Sequence, residues 1–112
     1  MIFLNAGDFY HGSIWYTHFK WKIVAQFAEM LNFTAMAPGS HEFDDGVEGF
    51  EPFLANITFP VVCSNLDISE APESLMSIEP WVAFEMEGIK IAIVGYTTPE
   101  TQVNNRILRV IF

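Results

Sequence analysis

Three short apolar runs, Ile2-Phe3-Leu4-Asn5-Ala6, Phe33-Thr34-Ala35-Met36-Ala37 and Phe59-Pro60-Val61-Val62-Cys63, each stop abruptly at a polar or glycine-bearing break. Runs of this length and ending suit strands of a parallel sheet, where both faces are covered and polar alternation is lost. The stretches between them have room for helices. The order strand, helix, strand, helix, strand therefore predicts an α/β protein with a mixed sheet. It also puts Asp8, His41 and Asn65 just past successive strand ends, at the edge where α/β sheets open a crevice.

From about Ser13 the pattern is helical: Trp15, Phe19, Ile23, Phe27 and Leu31 recur every fourth residue, with Thr17, Lys20, Lys22, Gln26 and Glu29 on the polar face. This stripe is expected to be core. Val47, Phe50, Leu54 and Ile57 keep helical spacing, and Pro52 is expected to divide them into two short pieces. After a loop from Ile68 to Pro80, two apolar stretches, Trp81 to Met86 and Ile89 to Val94, flank Glu87-Gly88 and predict a hairpin. Glu at its first turn position is less suited than Asn or Asp. No repeat or linker divides the 112 residues, so one domain is expected.

The net charge of −9, with only 5 Lys plus Arg, argues against nucleic-acid partners, because phosphate backbones would be repelled. The same acidity suits carboxylates that hold divalent ions, which reverse the local sign and attract anionic substrates. Cys63 is the only cysteine, which excludes an intrachain disulfide and a cysteine-based zinc site. No apolar run approaches the roughly 20 residues needed to span a bilayer, and Met1 leads into a strand without the basic region of a signal peptide. Two sequons, Asn32-Phe33-Thr34 and Asn56-Ile57-Thr58, point outward in compartment, while Asn32 equally suits a left-handed helix end.

Chemistry concentrates between Pro38 and Gly49, where His41, Glu42, Asp44 and Asp45 fall within five positions after the second apolar run. Imidazole and carboxylates on such a loop suit a hydrolytic or metal site. A polar loop whose Asp45 caps the next helix, with Glu48 completing a capping box, is the other reading. Between Gly7 and Gly12 a tight turn aims Asp8 and His11 at the same crevice, or else forms a surface Asx turn.

Asn5-Ala6-Gly7-Asp8-Phe9-Tyr10-His11-Gly12 resembles the Gly-Asp-x-x-x-Gly block of the calcineurin-like metallophosphoesterases, in their 5′-nucleotidase and apyrase-like branch. Gly39-Ser40-His41-Glu42-Phe43-Asp44 resembles that branch's Gly-Asn-His-Glu-Phe-Asp block, and Phe59-Pro60, Ser64-Asn65 and Val94-Gly95-Tyr96-Thr97 follow in the right order. The resemblance implies a partial metallophosphoesterase-type sheet with flanking helices, an incomplete four-layer α/β/β/α domain. Residues 1–112 would form one partial catalytic domain, without the C-terminal substrate-binding domain and inactive in isolation. The implied activity is metal-dependent hydrolysis of phosphate esters of extracellular nucleotides, nucleoside monophosphates above all. The alternative is a non-catalytic secreted homologue that keeps the fold. Two divalent ions of the zinc, manganese or magnesium class would serve as cofactors. By resemblance Asp8 is their bridging ligand, and His41 with Asp44 is the catalytic dyad. Ser40 stands where the family has a metal-binding Asn, and its hydroxyl is a shorter, weaker ligand for a hard cation. Glu42 is expected to be structural.

Overall fold

The computed structural model describes residues 1–69, 71–104 and 109–110. The first two apolar runs form strands β1 (Leu4–Asn5) and β2 (Ala35–Met36), paired in parallel with Leu4 opposite Ala35. The third run does not form a continuous strand. It joins through single parallel bridges, Met36 to Val61 and Val62 to Glu79. Proline has no N–H to give, so Pro60 contributes only its carbonyl, which accepts from Met36 N–H at 3.0 Å.

β2 is central, and its residues show why the sheet needs cover on both sides. Successive strand residues point to opposite faces, and Ala35 and Met36 are both fully buried, in different clusters. Met36 and Val61 face the helices; Ala35 and Val62 face Ile93, Val82 and Phe84 of the hairpin. Ahead of that hairpin in the chain comes β3 (Leu66–Asp67), and the loop expected from Ile68 to Pro80 contains a 3-10 turn at Glu73–Ser77. The hairpin itself is as expected: β4 (Trp81–Met86) pairs antiparallel with β5 (Ile89–Val94), across Glu87 at φ 53° and Gly88 at φ 79°. The last described strand, β6 (Arg109–Val110), pairs antiparallel with β3. Helices, central sheet and hairpin supply three of the four layers expected for a partial metallophosphoesterase-type domain, and the α/β class stands.

The single helix expected from Ser13 is two, α1 (Ile14–Phe19) and α2 (Trp21–Leu31). Ser13 caps the first, its Oγ accepting from Tyr16 N–H at 3.1 Å. The break is at Lys20, whose φ of 53° and ψ of −143° are incompatible with a continuous helix. Of the five residues of the predicted stripe, Ile23 packs against the core and the other four face outward. Val24, Ala25 and Ala28 are buried on α2, whereas Trp15 is 63% and Phe27 53% exposed, and Phe19 and Leu31 are exposed too. Small residues win the inner face because α2 packs closely on α3 (Gly46–Leu54). Asn32 ends α2 in the left-handed conformation, as anticipated. Pro52 does not split α3; it lies near the helix end, between the fully buried Phe50 and Phe53, where it removes a single backbone bond. Tyr10, also buried, meets Phe50 and Phe53 edge-on at 6.0 and 5.8 Å, anchoring the loop after β1 in the helical core.

Candidate active site

The loops after β1 and β2 meet at two glycines. A Cβ on Gly7 would collide with the backbone nitrogen of Gly39, and one on Gly39 would collide with Asp8 Oδ1, so no other residue fits at either position. Glu42 closes the joint. It is fully buried, and its carboxylate accepts from Asp8 N–H at 2.8 Å, Phe9 N–H at 2.6 Å and Gly39 N–H at 2.7 Å. Burial pushes its pKa up, while these three N–H groups pull it back. The structural role expected of Glu42 is the one its contacts describe.

This joint presents the predicted site residues together. Asp8 holds φ 62°, a left-handed conformation that a non-glycine residue adopts at a cost and that is common at functional sites. Its Oδ1 accepts from His41 N–H at 3.1 Å, and Ser40 Oγ–H reaches the same oxygen at 3.4 Å. His41 Nδ1 pairs with Asp44 Oδ2 at 2.7 Å. The hydrogen bond that the His41 ring donates to Asp44 raises its pKa above the usual imidazole value; desolvation opposes it, and the charges of Asp44, Asp8 and Glu42 add to it. The pair favours the charged imidazole and fixes its orientation.

Two expectations fail here. Asn65 does not join the cluster: it is buried, its Oδ1 accepting from Thr97 N–H at 3.0 Å and its Nδ2 donating to Thr97 O at 2.9 Å, so the amide staples two loops. Asp45 makes no capping bond to α3. Its carboxylate is taken instead by Tyr16 O–H at 2.8 Å and Lys20 Nζ at 3.0 Å, which together hold its pKa down. His11, named only as a neighbour of the crevice, stacks on the His41 ring with centroids 4.1 Å apart and planes at 14°. Its position between two glycines after a strand was the available signal.

The donors present suit divalent ions in part. The Asp8 carboxylate and the Ser40 hydroxyl lie 3.4 Å apart and are hard oxygen donors of the kind divalent ions prefer. Among the described residues, one group of three brings His, Cys, Asp or Glu ligand atoms within 4.8 Å of one another: His11, His41 and Asp44.

A helix-covered α/β sheet, with a carboxylate, a hydroxyl and a His–Asp pair on two joined loops at the strand ends, defines a metallohydrolase-like fold. The chain belongs to the calcineurin-like phosphoesterase family, which it matches over residues 1–98. It is 42% identical over 104 residues to a 5′-nucleotidase of Diplobatis ommata, covering 90% of this chain and 18% of that protein. It is 44% identical over 100 residues to an apyrase of Tabanus yao, covering 89% and 18%. The crystal structure of a 5′-nucleotidase precursor from Thermus thermophilus superposes with a TM-score of 0.91 at 30% identity, over 99% of this chain and 22% of that one. The chain thus spans about a fifth of the length of these relatives. Calcineurin-like phosphoesterases use divalent metals. Among the described residues no helix is long and apolar enough to cross a membrane.

Proposed function

We propose that this chain carries part of the catalytic domain of a 5′-nucleotidase-type phosphohydrolase acting on phosphate esters of nucleotides, nucleoside monophosphates first. The observation that carries the reading is the convergence of Asp8, Ser40, His41 and Asp44 at the Gly7–Gly39 joint. The identities to a 5′-nucleotidase and an apyrase support the substrate class. Asp8 would bridge the divalent ions, of the zinc, manganese or magnesium class, with Ser40 beside it. When bound, such ions polarise the phosphoryl oxygens and supply an activated water. His41 holds a proton at Nε2 and presents it to the phosphoryl group or its leaving oxygen, while Asp44 on Nδ1 fixes the tautomer and favours the charged ring. An extracellular setting is supported by the exposure of both sequon asparagines, Asn32 and Asn56. A second reading, a homologue that keeps the fold without activity, draws on Ser40, whose hydroxyl sits 3.4 Å from Asp8 Oδ1 where the family pattern has a longer carboxamide.

The test is a chimera in which residues 1–98 replace the matching segment of the Diplobatis ommata 5′-nucleotidase. Release of phosphate from a nucleoside monophosphate is expected, and His41→Ala should lower it by about 10² to 10³-fold, the usual loss of a charge-stabilising group. A folded chimera with no hydrolysis would favour the inactive homologue. A His41→Ala chimera as fast as its parent would overturn the assignment of the dyad.

A further inference from the structure

We propose that His11, His41 and Asp44 form a binding site for one divalent transition ion of the zinc, cobalt or nickel class, distinct from the oxygen-lined position between Asp8 and Ser40. Two imidazoles and a carboxylate are the donor set that holds zinc with an open position for water, whereas magnesium and calcium prefer oxygen alone. The three ligand atoms lie within 4.8 Å of one another although His11 comes from a separate loop. Zinc–nitrogen bonds of about 2.0–2.1 Å require donors roughly 3.3 Å apart, so the cluster must tighten. His11 can supply that movement. It is exposed, so the imidazole can rotate at the cost of its stack on the His41 ring. Rotation is needed, because two parallel rings 4.1 Å apart cannot aim both lone pairs at one ion. A depression of about 490 Å³ lined by His11, Ser13, Lys20 and Asp44 gives the ion access from solvent.

Ligation by Asp44 competes with its 2.7 Å bond to His41 Nδ1, so the ion and the dyad are alternative states of the same side chains. The site follows from the geometry of this chain alone and does not depend on its acting as a phosphohydrolase.

The chain has three histidines, His11, His18 and His41, which makes imidazole NMR a direct readout. In zinc titrations of the 112-residue chain, kept soluble by Phe27→Glu and Met30→Glu on its exposed apolar face, one equivalent is expected by calorimetry, with the ring resonances of His11 and His41 shifting together and those of His18 unmoved. Cobalt should give the visible band of a nitrogen-ligated ion of low coordination number. His11→Ala and the milder His11→Asn should each weaken zinc at least about tenfold, since even groups that only orient a ligand cost that much, and circular dichroism should show both variants folded. An affinity unchanged in both variants, or zinc-induced shifts confined to His18, would overturn the proposal.

Discussion

His41 is the residue on which most of the chemistry turns, and its partnership with Asp44 is directly measurable. A folded-state pKa above the ordinary imidazole value means that the charged ring gains interactions it lacks in the unfolded chain. The resulting stability is fully present below the unfolded value, about 6.5, and is lost as pH rises through the folded one. An NMR titration of the ring should therefore place the His41 midpoint above about 6.5, and Asp44→Asn should bring it down; coincident curves for the two proteins would break the link. Ser40 supports a second prediction. In the chimera, Ser40→Asn should raise the rate at limiting metal by about tenfold or more, because a carboxamide reaches further than a hydroxyl. Equal rates across a metal titration would show that this position does not touch the ion. That Asp8, His41 and Asp44 gather at one end of the sheet was legible in the chain, because the apolar runs before their loops end abruptly, while the roles expected of them came from the resemblance. The clamp formed by Glu42 was not, since its three donors come from two loops brought together only by folding.

At the scale of elements, the runs that became β1, β2, β4 and β5 could be read directly, because strand burial leaves a continuous or turn-bounded apolar signal. The break between α1 and α2 could not. Lysine carries no helix-stop signal, and the stripe from Trp15 to Leu31 runs straight through it. Lys20 holds its φ of 53° against a strain of about 1–3 kcal/mol for a non-glycine residue. Its exposed ion pair with Asp45 returns at most about 1 kcal/mol. Lys20→Gly should thus be net stabilising by about 1 kcal/mol after allowing for the greater freedom of glycine in the unfolded chain. A urea midpoint that falls instead would mean that the contacts of Lys20, including its approach to the Tyr16 ring at 5.2 Å, outweigh the strain.

For the whole molecule, the consequence of the outward stripe is association. Trp15, Phe27 and Met30 on the helices and Trp81, Ile89 and Val94 on the hairpin are all more than half exposed, more large apolar surface than a monomer of this size ordinarily shows to water. The chain alone should sediment as concentration-dependent oligomers or aggregates, and Phe27→Glu with Met30→Glu should reduce them; a soluble, cooperatively unfolding monomer would refute this. The Glu42 carboxylate has a different reach. Because one buried group accepts from Asp8, Phe9 and Gly39, the amide protons of those three residues share a single lock. They should exchange with deuterium at one common rate, slowed together and released together, so that the residues flanking the joint keep time with each other even though two whole helices of chain lie between them.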